Sequence, residues 1–111
     1  MKKASYKEWE DKLASINVKG GTEDDKFIFY TSLYRACLSP VDVTSTDGRY
    51  LGTDGKIYQA DGFRYYSNWS LWDTFRTKFP LLVLLKPGQM RDIATSLLHL
   101  YRTGKKDWAT L

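Results

Sequence analysis

At 111 residues the chain has room for one domain with a modest core and not for two. The net charge is +4, but acids interrupt the lysines and arginines, and the one local basic cluster is Lys105-Lys106, so no nucleic-acid-binding face is expected. A single cysteine, Cys37, excludes an intrachain disulfide, and with a single histidine, His99, this chain alone is not expected to build a zinc site.

Aromatic residues reach 15%, with four Trp, eight Tyr and five Phe. Such an excess serves a core, a docking surface or a sugar-binding face, and the first two uses are the commoner. No targeting segment is visible, because the start from Ala4 to Lys12 is amphipathic and charged rather than apolar. The apolar run from Phe79 to Leu85 is far too short to cross a bilayer. This start fits a cytoplasmic chain and an excised piece of an exported protein equally well.

Tyr6, Trp9, Leu13 and Ile16 are spaced as one stripe of an amphipathic helix, which Asn17 and Gly20-Gly21 stop. Thr22 with Asp25 resembles a capping box. A second helix is predicted from there to Pro40, with Phe27, Tyr30, Tyr34, Cys37 and Leu38 on its inner side. The two helices are expected to form a hairpin.

Asp-Gly then recurs at Asp47-Gly48, Asp54-Gly55 and Asp61-Gly62. Asp-Gly favours tight turns, because glycine accepts positive φ and aspartate bonds its own backbone. Short strands are predicted at Arg49 to Thr53 and Lys56 to Ala60, pairing around Asp54-Gly55. The three aspartates lack the dense ligand spacing of a calcium loop, and turn chemistry explains them better.

Phe63 to Trp69 is an aromatic, extended segment. Ser70 with Asp73 repeats the capping pattern and predicts a helix from Leu71, with Arg76 within reach of Asp73. Pro80 is expected to kink this helix or to open a new one at its first position. Leu81 to Leu85 is apolar on every side and is predicted to be buried. After Pro87-Gly88 a fourth helix is expected from about Gln89 to Thr103, with Ile93, Leu97, Leu100 and Tyr101 inward and Gly104 closing it. His99, within this apolar run, is expected to be structural or superficial. The tail from Lys105 to Leu111, with Trp108, carries no stop signal and reads as cut short. The pattern is therefore mainly α: two helical hairpins with a small inserted β-hairpin and no internal boundary over residues 1–111.

Asn68-Trp69-Ser70-Leu71-Trp72-Asp73-Thr74-Phe75-Arg76 carries the clearest chemical signal. An indole stacks on the apolar face of a sugar ring, and an adjacent carboxylate accepts its hydroxyls. Asp73 also has a plain use at a helix start, satisfying backbone N–H groups and the helix dipole. The match of Asn68-Trp69-Ser70 to the N-glycosylation pattern is best explained as coincidence within this motif.

Three blocks occur in order: Gly21-Thr22-Glu23 with Phe29-Tyr30-Thr31-Ser32-Leu33-Tyr34-Arg35 and Leu38-Ser39-Pro40; Asp47-Gly48-Arg49-Tyr50-Leu51-Gly52; and Tyr65-Tyr66-Ser67 with Ser70-Leu71-Trp72-Asp73-Thr74-Phe75-Arg76 and Pro80-Leu81-Leu82. Together they resemble glycoside hydrolase family 92, the calcium-dependent exo-acting α-mannosidases. The resemblance implies a much longer parent, with an N-terminal β-sandwich and an (α/α)6 catalytic barrel, of which residues 1–111 form the opening part. It implies removal of terminal α-mannose from glycans with inversion, a calcium ion on the sugar hydroxyls, and a general-acid Glu and general-base Asp far downstream. It places Trp72 and Asp73 at the mannose subsite. The implied partners are α-mannoside glycans and the rest of the barrel and sandwich, in a periplasmic or secreted parent. Calcium is expected in that parent and not on this chain alone. Trp69 in place of Phe, and Lys78-Phe79 where His before Pro is usual, depart from the family pattern.

An inverting glycosidase needs two carboxyl groups roughly 6.5–9.5 Å apart. The only glutamates, Glu8, Glu10 and Glu23, lie near the N-terminus in charged helical surroundings, and most aspartates lie in turns. No catalytic residue is therefore assigned, and the isolated chain is expected to be inactive. Arg49, Tyr50, Tyr65 and Tyr66 are expected to be structural. Hairpins cut from a closed barrel are also expected to self-associate. The alternatives are a small helical sugar-binding module using Trp72 and Asp73, and a protein-interaction module indifferent to sugar.

Overall fold

The computed structural model describes residues 2–68 and 70–104. Among them the chain runs α1 (Lys2–Leu13), α2 (Glu23–Ala36), β1 (Val41–Asp42), β2 (Arg49–Leu51), β3 (Ile57–Gln59), β4 (Tyr66–Ser67), α3 (Leu71–Thr74), α4 (Lys78–Leu85) and α5 (Pro87–Thr103). Contacts gather it into two compact units, one up to Leu38 and the other from Ser39 onward. The sequence pattern shows no boundary there. The division falls where α2 has ended and the chain turns toward Pro40. Trp69, Lys105-Lys106 and Trp108 lie outside the described residues.

In the first unit α1 packs on α2. Trp9 meets Tyr34 with ring centroids 4.6 Å apart. The Tyr30 hydroxyl donates to the Ile16 carbonyl at 3.1 Å and accepts the Val18 N–H at 3.4 Å, pinning the connection between the helices. Thr22 begins α2 with a complete capping box. The inner side of α2 is as predicted at Tyr30 and Tyr34, which meet the α1 side, and differs elsewhere. Leu33 is its buried residue, whereas Phe27 is 74% exposed and Tyr34 and Leu38 are also exposed. The helix stops at Ala36, with Cys37 as its cap, so Pro40 lies beyond the end rather than making it.

The second unit starts as a pair of two-stranded antiparallel sheets. β2 pairs with β3, with Tyr50 opposite Tyr58. The turns take the predicted form, since Gly48, Gly55 and Gly62 all have positive φ, near +81°, +79° and +75°. β1 pairs with β4, Val41 opposite Ser67. A two-residue strand is too short to show alternation, and the pattern after Pro40 does not predict β1.

Pro80 neither kinks a long helix nor opens one. The chain leaves α3 after a single turn, and α4 starts at Lys78 with Pro80 third in it. The first four N–H groups of a helix have no partner within it, so Pro80 removes nothing there. α4 packs on α3 and α5. Only Leu82 of the apolar run is buried, and Val83 and Leu84 are 52% and 81% exposed, which corrects the expectation of a fully buried segment. A helix apolar all round covers one face against α5 and presents the other outward. α5 starts two residues earlier than predicted, with Pro87 in its first turn. Ile93 and Leu100 are buried as expected, Tyr101 is 44% exposed, and Ser96 is fully buried. No helix among the described residues is long and apolar enough to cross a membrane.

Candidate functional site

The segment that carries Trp72 and Asp73 is delivered by β4. Its backbone is held on both sides. The Tyr65 N–H donates to the Thr44 hydroxyl at 2.6 Å, and the Tyr66 N–H donates to the buried Ser96 hydroxyl at 2.9 Å. The Ser96 hydroxyl in turn donates to the Asp92 carbonyl at 2.7 Å, within α5. Arg64 strengthens the same corner, its Nε 2.6 Å from Asp42 Oδ2 and its N–H 3.3 Å from Asp92 Oδ2. The strand end is thereby fixed to β1 and α5 before the chain turns through Asn68, which has φ near +65°.

Ser70 follows, and α3 begins at Leu71 as predicted. The cap differs from expectation. Ser70 has φ −133° and ψ 68° and makes no side-chain bond to the helix backbone. Its hydroxyl donates instead to Asp73 Oδ2. The turn is held by the Ser70 carbonyl, which accepts the Asp73 and Thr74 N–H groups at 3.2 and 3.1 Å and the Thr74 hydroxyl at 2.8 Å. Thr74 is buried.

Trp72 and Asp73 are therefore neighbours on one fixed turn, and both are exposed. The indole is 81% exposed and lies 6.3 Å from the Phe75 ring, centroid to centroid, at 59°. Arg76 does not pair with Asp73. Its guanidinium sits over the Phe75 ring, 5.6 Å from the centroid, where the ring face attracts the cation. The arrangement provides an open aromatic surface beside an anionic acceptor. That combination is chemically suited to a polyhydroxylated ring, whose C–H face fits an indole and whose O–H groups fit a carboxylate.

The other named aromatics build the frame. Tyr50 and Tyr65 are both 3% exposed and stack at 3.9 Å and 15°. The Tyr50 hydroxyl lies 2.9 Å from His99 Nδ1, and the His99 ring packs on Phe63 at 4.9 Å. Burial, and secondarily the Asp54 charge, raises the Tyr50 phenol above its ordinary pKa. Burial likewise raises Tyr65 and Tyr66. Arg49 pairs locally with Asp47 at 2.6 Å. Asp54 accepts the Tyr58 hydroxyl at 2.7 Å, which holds its carboxyl below the usual value.

Concave surface occurs elsewhere, within the first unit. A groove of about 730 Å³ is lined by Leu13, Phe27, Tyr30 and Tyr34, with Glu23 and Asp24 at its rim. Those carboxylates belong to the first turn of α2, where the helix dipole favours them. Neither Trp72 nor Asp73 is among its lining residues. The chemical signal outweighs concavity here, because the groove is an open furrow beside two packed helices. Among the described residues, no three His, Cys, Asp or Glu side chains gather as metal ligands.

Sequence reasoning singled out Trp72 and Asp73 but missed Ser70 as the partner of Asp73 and Ser96 as the anchor of β4. The Ser-x-x-Asp spacing was the available signal for the first. For Ser96, the sign was a small polar residue on the same helical face as Ile93 and Leu100.

The family model of the glycosyl hydrolase family 92 catalytic domain matches residues 1–110. Among solved structures, the family 92 glycosyl hydrolase ccman5 superimposes with a TM-score of 0.86 at 35% identity, over 91% of this chain and 14% of its own. The α-mannosidase BT3965 from Bacteroides thetaiotaomicron gives 0.80 at 36% identity, over 86% of this chain and 13% of its own. The inverting mannosidase BT2199 from Bacteroides thetaiotaomicron VPI-5482 gives 0.82 at 27% identity, over 91% and 14%. The chain thus spans at most 14% of the length of these solved relatives. No curated protein matches it significantly.

Proposed function

The chain belongs to glycosyl hydrolase family 92, and we propose that it forms part of an exo-acting, inverting α-mannosidase, to which it contributes one wall of the mannose subsite. The observation that carries this reading is the exposed Trp72 beside Asp73 on a turn anchored to a buried frame. Trp72 stacks on the terminal mannose, and Asp73 accepts hydrogen bonds from its hydroxyls. Both groups bind and orient; neither transfers a proton. The substrates are α-mannoside glycans, and the parent works in the periplasm or outside the cell.

Inverting hydrolysis needs a general acid and a general base roughly 6.5–9.5 Å apart, with a water between base and sugar. The remainder of the protein supplies both, within an (α/α)6 barrel preceded by a β-sandwich. The isolated chain therefore releases no mannose. Calcium in the parent is part of the same proposal, supplying charge at the sugar hydroxyls. Calcium takes six to eight oxygen ligands, and among the described residues no three His, Cys, Asp or Glu side chains gather to supply them. None of the residues described is assigned to the ion, and no step here passes through it. Outside its parent, the chain self-associates through the outward face of α4.

The test is release of mannose from para-nitrophenyl α-D-mannopyranoside by the full-length gene product. Asp73→Asn is expected to lower kcat/KM by about 10- to 100-fold, the weight of a hydrogen bond to a charged group. Trp72→Ala is expected to lower it by roughly tenfold through lost stacking. A full-length product that releases no mannose, or two variants with unchanged kcat/KM, overturns the reading.

A further inference from the structure

Two helix starts carry the same tetrad, a hydroxyl residue at the cap followed three positions later by aspartate, and the two are wired differently. At Thr22 the tetrad is a complete helix cap. The Asp25 N–H donates to the Thr22 hydroxyl at 3.1 Å, and the Thr22 N–H donates back to Asp25 Oδ2 at 2.9 Å. The Thr22 hydroxyl also donates to Asp25 Oδ2 at 2.7 Å, and both side chains serve the backbone. At Ser70 neither does. The Ser70 carbonyl alone holds the turn, through the Asp73 and Thr74 N–H groups and the Thr74 hydroxyl. The Ser70 hydroxyl makes no bond to the helix backbone and keeps only the bond to Asp73 Oδ2. Among the described residues, the other carboxylate oxygen of Asp73 accepts no hydrogen bond.

We infer that Ser70 is a positioning residue, whose hydroxyl holds the Asp73 carboxylate in the one orientation that offers its second oxygen to a sugar hydroxyl beside Trp72. The inference rests on the reading of Asp73 as a mannose ligand. The physical reason is entropy. An exposed aspartate samples several rotamers, and a ligand that needs one of them must freeze it. Ser70 is well placed to do this beforehand, because its own backbone is fixed by buried Thr74. One pre-ordered side chain is worth about two- to tenfold in affinity.

A double-mutant cycle in the full-length gene product tests this, with para-nitrophenyl α-D-mannopyranoside as substrate and thermal melting of every variant. Ser70→Ala is expected to lower kcat/KM about fivefold, with an unchanged melting transition. Ser70→Thr, which keeps the hydroxyl, is expected to retain at least about half of the activity. In the Asp73→Asn background, Ser70→Ala is expected to cost nothing further, because the group it orients has lost its charge. The same fivefold loss in both backgrounds would show that the hydroxyl acts elsewhere, and overturns the inference. So does no loss on Ser70→Ala, a threonine variant as poor as the alanine one, or an alanine variant that fails to fold. If Asp73→Asn itself has no effect, the subsite reading falls, and the positioning role falls with it. If Asp73→Asn is damaging and Ser70→Ala is silent, only the positioning role falls.

Discussion

The backbone N–H of Tyr66 points at the hydroxyl of Ser96, 2.9 Å away and fully buried. One side chain of α5 thereby completes the bonding of a two-residue strand that would otherwise have a ladder on one edge only. Everything that follows β4, including the turn with Trp72 and Asp73, inherits its position from this contact.

Replacing Ser96 by alanine leaves the part-buried Tyr66 N–H without a partner. The expected cost is about 1–3 kcal/mol, measured by urea denaturation. A loss below about 0.5 kcal/mol would show that Thr44 and β1 hold the strand without α5.

Trp72 is 81% exposed, so its removal should separate function from folding. Trp72→Ala is expected to change stability by no more than about 0.5 kcal/mol while weakening sugar binding. A variant that melts much earlier would mean that the indole packs against the protein.

Stability should fall toward acid pH. Burial pushes the Asp42 carboxyl up, but the Thr44 N–H and the Arg64 guanidinium outweigh it, and its pKa is lowered overall. A carboxyl lowered by folding stabilises the native state above its unfolded pKa. That contribution is lost as pH falls from about 3.9 through the lower folded value. Asp25, Asp47 and Asp54 are lowered as well, so Asp42→Asn should shrink the acid limb without abolishing it. An acid limb identical in Asp42→Asn would remove Asp42 from the account. The raised phenols of Tyr50, Tyr65 and Tyr66 act at the other end. Their contribution is complete below about pH 10 and is lost as pH rises through their folded values.

Val83 and Leu84 turn outward from α4, with Phe75 also exposed nearby in sequence. Adjacent apolar side chains in water favour association. Sedimentation of the isolated chain is expected to show concentration-dependent oligomers, which Leu84→Lys shifts toward monomer. A monomer at every concentration, unaffected by Leu84→Lys, would contradict the proposed role of this face.

Some of this structure was legible in the sequence because the responsible forces act over short spans. The Asp-Gly pairs predict their turns, since a positive φ is a local requirement that glycine meets. Thr22 and Asp25 predict their cap, and the stripe through Ile93 and Leu100 predicts α5. Long-range relations were not legible. β1 exists because Val41 and Asp42 find Ser67 and Tyr66, some 25 residues on. The burial of Ser96 depends on the arrival of β4. The outward side of α4 could not be told from its inner side, as apolar residues surround the helix and only α5 decides between them. At the site, residue types were legible and wiring was not. Ser70 and Asp73 have cap spacing, yet with ψ at 68° rather than the 168° of Thr22 the Ser70 hydroxyl makes no bond to the backbone and keeps only the one to the carboxylate.

Lys86 is the single residue between α4 and α5. Its N–H bonds back to the Leu82 carbonyl at 2.8 Å, and its carbonyl accepts the Met90 N–H at 3.0 Å, so it closes one helix and opens the next. A joint with no spare residue ties rotation to length. Each residue advances an α-helix by about 100°, so one insertion or deletion here would turn Ser96 away from Tyr66 and release β4. Homologous chains should accordingly vary in length at the glycine turns around Gly48 and Gly55 and keep a constant count across Lys86. Such constancy would make Lys86 a fixed point for aligning distant sequences of this type.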